Sequence, residues 1–215
     1  MEKDLSNYRK NYQKKALTEN NVPENPMELF QQWFYEVEKF SGDTEINAMT
    51  LATVEAGGRP KNRIVLLKKY TWEGFIFYTN YESDKGKAID ANPSVCLSFF
   101  WQAMERQVII TGTAEKIAKN LSDGYFESRP EGSKLGAWAS AQSRVVPSRE
   151  YLDNRLADME HRFTDKEIPR PLHWGGFLVK PERMEFWQGR PNRMHDRICY
   201  ELQKNFEWKS TRLAP

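Results

Sequence analysis

The chain has 215 residues, 39% of them hydrophobic and 13% aromatic, with 32 basic residues against 30 acidic ones and a net charge of +2. That length suits one domain with a real core, and the near-neutral balance gives no basic stripe of the kind that nucleic-acid binding uses. No apolar run approaches membrane-spanning length, the polar start Met-Glu-Lys-Asp-Leu-Ser lacks the apolar core of a signal peptide, and the distant Cys96 and Cys199 form no CxxC, so the chain reads as a cytoplasmic protein with two buried free thiols and no metal site.

Residues 1–24 are polar and read as a mobile N-terminal arm, with one helical turn around Tyr8 to Tyr12. Residues 25–215 read as a single domain. A helix opens at Asn25, a good N-cap, with Pro26 in the first helical position and Glu28 placed for a capping box. Phe30, Trp33, Phe34, Val37 and Phe40 recur at helical spacing, an apolar stripe suited to the core or to a partner subunit. From Ala48 the period changes. Strands are expected at 48–54 and 62–70 around a Gly57-Gly58 turn, and at 75–79 after the turn Trp72-Glu73-Gly74. A short helix at 83–90 ends at Asn92-Pro93. Strands at 95–101 and 107–116 precede helices at 119–128 and 148–163. Strands at 174–179, 183–187, 197–202 and 206–209 close the chain. Short turns between strands imply antiparallel pairing, and a barrel with peripheral helices removes exposed edges.

The stretch 186–197, Phe-Trp-Gln-Gly-Arg-Pro-Asn-Arg-Met-His-Asp-Arg, concentrates chemistry. On an extended segment Arg193, His195 and Arg197 share one face. Guanidinium groups suit bidentate phosphate or carboxylate binding, imidazole carries a proton near neutral pH, and Trp187 suits a planar ligand. The competing reading is a charged hairpin tip in water. A second set is Arg63-Ile64-Val65-Leu66-Leu67-Lys68, an apolar strand charged at both ends, where a snorkelling lysine is the ordinary alternative. Tyr78-Thr79-Asn80 ends a strand, and Ser83-Asp84-Lys85-Gly86-Lys87 opens a helix whose free N–H groups could take a phosphate or only water. Tyr125 to Pro130 with Ser133, and then Gln142-Ser143, supply further polar sets.

In this order the sets resemble the pyridoxamine 5′-phosphate oxidase family, whose pattern also appears as Glu105-Arg106-Gln107, Gly136-Ala137-Trp138, Trp174-Gly175-Gly176-Phe177 and the ending Arg212-Leu213-Ala214-Pro215. The resemblance covers nearly the whole chain, and the joint order is far more specific than any single motif. It implies a mainly β, FMN-binding split barrel (an antiparallel, six-stranded, Greek-key-like barrel with peripheral helices). It also implies a homodimer with FMN at the subunit interface, without nucleic-acid or membrane partners.

The resemblance places Arg63, Ile64, Val65, Leu66, Leu67, Lys68, Tyr78, Thr79, Ser83, Lys85, Gln107, Gln142, Ser143, Trp187 and Arg197 at FMN. It places Lys68, Tyr125, Arg129 and Ser133 at the substrate phosphate. Arg193, Met194 and His195 fall at the substrate ring, with Arg193 and His195 as catalytic candidates. Arg9, Lys10, Asn11 and Tyr12 fall in a lid over the substrate. Asp84 departs from the family pattern, which commonly has Arg there; a helix-capping role would turn its charge away from a phosphate. The implied reaction oxidises pyridoxamine or pyridoxine 5′-phosphate to pyridoxal 5′-phosphate. Hydride passes from C4′ to the flavin, O2 is the acceptor, and H2O2, with ammonia from the amine, is released. The alternatives are another split-barrel flavoprotein of the flavin-reductase type, a flavin- or vitamin-binding module without turnover and, more remotely, a nucleic-acid-binding barrel.

Overall fold

A computed structural model describes residues 3–8, 10–40, 42 and 45–215. Among them the main elements in chain order are α1 (Pro26–Phe40), β1 (Ala48–Val54), β2 (Pro60–Leu66), β3 (Lys69–Thr71), β4 (Gly74–Asn80) and α2 (Asp84–Ala91). There follow β5 (Ser94–Trp101), β6 (Arg106–Lys116), α3 (Lys119–Glu127), α4 (Glu131–Ala139) and α5 (Arg149–Arg162). Last come β7 (Trp174–Gln188), β8 (Asp196–Leu202) and β9 (Trp208–Leu213). The strands hydrogen-bond in the order β2-β1-β5-β6-β7-β4-β3, with β8 branching from β7 and β9 following β8. The sheet therefore has nine strands. No described helix is long and apolar enough to cross a membrane.

The chain divides into two compact units. The first comprises residues 1–50, 96–111 and 181–215, and the second residues 51–95 and 112–180. In the first unit, α1 starts where the sequence indicates: the Asn25 carboxamide accepts a hydrogen bond from the Met27 N–H at 2.9 Å. Its stripe then finds aromatic partners. Phe30 packs edge-on to Phe99, with ring centroids 5.3 Å apart, and Trp33 edge-on to Phe186 at the same separation. Each such fully buried side chain contributes about 1.5–3 kcal/mol. The stripe ends at Val37, because Phe40 is exposed. Both cysteines are free; Cys199 is buried and Cys96 half-buried.

In the second unit β4 is almost wholly buried. It pairs antiparallel with the first part of β7, from Phe75 opposite Val179 to Asn80 opposite Trp174. Four sequence expectations need correction. The expected strand at 62–70 is two strands, because the chain turns at Leu67 and Lys68 before β3 doubles back on β4. The expected strands at 174–179 and 183–187 are one strand. Its first part pairs with β4 and its last part with β8, from Arg183 opposite Glu201 to Gln188 opposite Asp196, so Pro181 falls between the two registers. The final strand is β9 rather than 206–209, since Phe206 takes a positive φ of 66° in the preceding turn. Helix α4 was not anticipated: Gly132 and Gly136 depress its intrinsic propensity.

Gly86 and Gly124 predict opposite outcomes for one substitution. A Cβ at Gly86 would overlap the rigid backbone carbonyl of Tyr81, so Gly86→Ala should lower stability by about 1–3 kcal/mol. A Cβ at Gly124, in α3, meets nothing within 4 Å, so Gly124→Ala should raise stability by roughly 0.5–1 kcal/mol. Denaturant melts of the two variants check both signs.

Candidate active site

A cavity of about 470 Å³ opens in the second unit. Strand β2 and the turn after it bring Ile64, Val65, Leu66 and Lys68. The end of β4 brings Tyr78, Thr79 and Asn80, and the first turn of α2 brings Lys85. Tyr125 and Arg129 come from the end of α3 and the residues beyond it, Ser133, Gly136 and Ala137 from α4, Ser140 and Gln142 from the loop after it, and Trp174 from the start of β7. Three cations line this space and no carboxylate does.

Lys85 is held by neutral oxygens only. Its Nζ donates to Thr79 Oγ1 at 3.2 Å, Gln142 Oε1 at 3.0 Å and Ser83 Oγ at 3.4 Å. Burial, and then the nearby Arg63 charge, push its pKa below the ordinary lysine value. Arg129 lies with its guanidinium 4.6 Å from the Trp174 ring centre, a cation–π contact. Its NH1 is buried with no hydrogen-bond partner among the described residues. Burial lowers its pKa as well. A buried donor without an acceptor costs about 1–3 kcal/mol, and an anion in the cavity would remove that cost. Tyr78 stacks on Tyr125 at 3.9 Å and on Trp174 at 5.4 Å, which gives the cavity a flat aromatic wall. Burial raises the Tyr78 pKa, so its hydroxyl stays neutral. The Gly175-Gly176 pair permits this packing: a Cβ at Gly176 would come within 2.9 Å of the Tyr78 ring.

Four expected residues of this region do not line the cavity. Arg63 NH1 donates to Thr53 Oγ1 at 2.7 Å and to the carbonyls of Leu51 and Lys61. Leu67 is in the core. Ser83 is the N-cap of α2, accepting from the Gly86 N–H at 3.3 Å while its hydroxyl donates to the Asn80 carbonyl. Ser143 is exposed with a φ of 71°. Ser83 thus performs the capping anticipated for Asp84. The Asp84 carboxylate is exposed and turned to Lys61 Nζ at 2.8 Å. Asn80 and Ser140 were not anticipated in the lining. Gly136, Ala137 and Trp174 belonged to the motif order but carried no assigned role, because their contribution is shape rather than charge.

The remaining candidates lie in the first unit. The expected shared face of Arg193, His195 and Arg197 is not formed. Pro191–Arg193 is a short 3₁₀ turn, with Asn192 and Arg193 at φ 55° and 60°, and extended structure begins only at Asp196. Arg193 is exposed and its guanidinium makes no hydrogen bond or ion pair with the described residues; Met194 is also exposed. His195 Nδ1 accepts the Arg190 N–H at 3.1 Å, so in the neutral ring Nε2 carries the proton. The ring lies 4.7 Å from Trp187. Arg197 is engaged: its Nε and NH2 both stand 2.8 Å from Oε1 of the buried Glu185, and NH1 donates to the Ala214 carbonyl. Gln107 is half-buried on β6. Tyr12 packs edge-on to Trp187 at 5.7 Å and to His195 at 5.9 Å. Lys10 and Asn11 are exposed, and Arg9 lies outside the described residues.

Solved structures with the same fold define the class. PhzG from Burkholderia lata, in complex with tetrahydrophenazine-1-carboxylic acid, superposes with a TM-score of 0.86 at 27% identity, over 93% of this chain and 98% of that one. A pyridoxamine 5′-phosphate oxidase-related, FMN-binding protein from Nostoc punctiforme superposes at 0.69 with 15% identity, over 94% and 100%, and shows the fold alone. The fold and the cavity therefore define a split-barrel protein with a cation-lined site.

A model of the family described as pyridoxamine 5′-phosphate oxidase matches residues 36–162, and one described as the pyridoxine 5′-phosphate oxidase C-terminal dimerisation region matches residues 174–215. The pyridoxine/pyridoxamine 5′-phosphate oxidase of Flavobacterium psychrophilum is 60% identical, over 99% of this chain and 100% of its own length. That of Pseudomonas paraeruginosa is 50% identical over the full length of both. This chain belongs to the pyridoxamine 5′-phosphate oxidase family.

The lowered pKa of Lys85 has a measurable consequence. An anion favours the ammonium form, so affinity for a phosphate-bearing ligand should fall as pH rises through the Lys85 pKa, at a lower pH than an ordinary lysine would dictate. FMN titrations across an alkaline pH series should show that step, and Lys85→Met should bind more weakly without it.

Proposed function

We propose that the protein is an FMN-dependent oxidase that converts pyridoxamine or pyridoxine 5′-phosphate to pyridoxal 5′-phosphate, with O2 as acceptor and H2O2 as product. The observation that carries this reading is the cavity with three cations, no carboxylate and the unpartnered Arg129 NH1. A phosphate dianion supplies the missing acceptor, and Tyr78, Tyr125 and Trp174 suit a planar ring beside it.

On this reading the roles divide by chemistry. Lys68, Tyr125, Arg129 and Ser133 take the substrate phosphate: two cations and two hydroxyls against a dianion. Lys85, Thr79 and Gln142 fit FMN, since their ammonium, hydroxyl and carboxamide already form one hydrogen-bonded cluster. Apolar Ile64 to Leu66 suit the flavin's flat body. FMN, when bound, supplies the two-electron acceptor for oxidation at C4′. Arg193, whose guanidinium has no partner among the described residues, orients the substrate. His195 presents Nε2 as the ring position for binding or proton movement, because Nδ1 is occupied. Tyr12 belongs to the segment that closes over the substrate.

The C-terminal dimerisation region supports a homodimer with FMN at its interface, and the protein should elute as two 25.3 kDa chains. The likeness to PhzG leaves a carboxylated polycyclic substrate as the second reading, at 27% identity against 60% for the oxidase relatives.

The FMN-loaded protein, given pyridoxamine 5′-phosphate and air, should form pyridoxal 5′-phosphate and peroxide in equal amounts. A stable flavin complex without turnover would instead indicate a binding module. Arg193→Ala should keep flavin and thermal stability while kcat/KM falls roughly ten- to a hundredfold, as expected for loss of one charge-assisted contact. Arg197→Ala should lose both flavin and stability, because it leaves the buried Glu185 carboxylate with only the longer 3.3 Å contact to Arg183. Equal flavin contents in the two variants would refute this division.

A further inference from the structure

The family pattern includes Glu105-Arg106-Gln107, yet nothing above gives Glu105 a task. Its environment is unusual for a carboxylate. Glu105 is 2% exposed and sits at the left-handed φ of 56°, between a short 3₁₀ turn and β6. A buried carboxylate at a strained position requires strong partners. Its Oε2 accepts two successive backbone N–H groups of the N-terminal segment, Gln13 at 2.9 Å and Lys14 at 3.1 Å. Its own carbonyl accepts the Gly189 N–H at 2.8 Å and Gln188 Nε2 at 3.2 Å. One residue thus ties the N-terminal segment to the turn that leads from β7 to His195.

The tie has a consequence one residue away. Tyr12 precedes the two clamped amides, and its side chain lies directly on Gly189, where an added Cβ would stand 2.7 Å from Tyr12 Cγ. From there the ring reaches the edges of Trp187 and His195. Only a glycine at 189 admits this contact. Downstream the segment is anchored again, with the Leu17 N–H on Asp196 Oδ2 at 3.0 Å and the Leu17 carbonyl on Arg212 NH2 at 2.9 Å. Nearer to Tyr12, the Lys15 carbonyl accepts from Arg190 NH1 at 3.2 Å and the Lys15 ammonium pairs with Glu36 at 2.6 Å, both through partly exposed groups. The Glu105 clamp is adjacent to Tyr12.

We propose that Glu105 is a positioning residue that latches the N-terminal segment by its backbone and thereby sets Tyr12 against Trp187 and His195. It touches neither substrate nor flavin and acts through Tyr12. The carboxylate grips backbone only, and the Lys14 ammonium adds a separate hydrogen bond to the Ala103 carbonyl at 2.6 Å in the turn that precedes Glu105. This rests on the oxidase reading for its kinetic effect, but the latch itself is testable without turnover.

The test uses the FMN-loaded protein with Glu105→Ala, Glu105→Gln and Gly189→Ala. The latch predicts trypsin cleavage after Lys14 and Lys15 at least roughly tenfold faster in Glu105→Ala, because each charge-assisted hydrogen bond lost is itself worth about tenfold or more. Cleavage in Glu105→Gln, which keeps a neutral acceptor, should be intermediate. Positioning predicts a KM for pyridoxamine 5′-phosphate raised about tenfold in Glu105→Ala with flavin content unchanged. Gly189→Ala, which displaces Tyr12 and spares the carboxylate, should raise KM likewise, and keeps the idea open to refutation if Glu105→Ala does not fold. Unchanged trypsin sensitivity would overturn the latch. Faster cleavage with unchanged KM would overturn positioning. Should the unmodified protein show no oxidase turnover, the function proposed above fails, while the cleavage result still decides the latch.

Discussion

Buried positive charge without a carboxylate partner is the constraint around which the second unit is arranged. Taking a guanidinium or ammonium out of water is costly, and Arg129 and Lys85 are both partly desolvated. The surroundings offset that cost without neutralising the charge. Trp174 offers its π face to Arg129, and Thr79, Gln142 and Ser83 offer neutral oxygens to Lys85. The antiparallel register that sets Asn80 opposite Trp174 places the end of β4 beside the start of β7, where these groups meet. A carboxylate within the cavity would make the cations more comfortable and the site useless for a phosphate. Asp84, the acid in the first turn of α2, faces outward to Lys61.

The first unit solves a different problem, that of holding irregular backbone in place. The turn 189–195 has two left-handed residues and an exposed Arg193, and such backbone persists only where its neighbours fix it. Here the Glu105 carbonyl holds Gly189, His195 Nδ1 holds Arg190, and the Arg197–Glu185 pair locks the strands on either side. Arg106, with Nε on Gln188 Oε1, its guanidinium over the Trp33 ring and an ion-pair contact to Glu36, ties α1 to the same strand. Tyr12 completes the arrangement from the N-terminal segment.

Much of this was legible in the chain because the signals are local. Helix α1 announces itself by Asn25-Pro26 and a 3.6-residue apolar period, and the strands by β-branched and aromatic runs. The joint order of the basic and aromatic motifs carried the family, and with it Lys68, Tyr78, Thr79, Lys85, Tyr125, Arg129, Ser133 and Gln142, all of which line one cavity. Signals that depend on a distant partner were not legible. The two strands expected at 174–179 and 183–187 are one, because Pro181 falls between two partners' registers. Gly132 and Gly136 concealed α4. Ser83 took the capping task expected of Asp84, while Lys61, some twenty positions earlier, pairs with the acid at the surface.

The sequence by itself determined the element types, the family and the chemical inventory: arginines, lysines, aromatics and a histidine, with a few acids such as Asp84 and Glu105 among them. These follow from residue type and spacing, which are properties of the chain alone. Only the tertiary structure decided how that inventory is deployed. It left Arg129 NH1 unpaired, engaged Arg197 with Glu185, freed Arg193 and turned His195 so that Nδ1 is occupied. It also gave Glu105 two backbone amides ninety residues away in the chain. The physical reason is that hydrogen bonding and desolvation depend on which groups meet in space, and those meetings are set by register and packing between segments far apart in sequence.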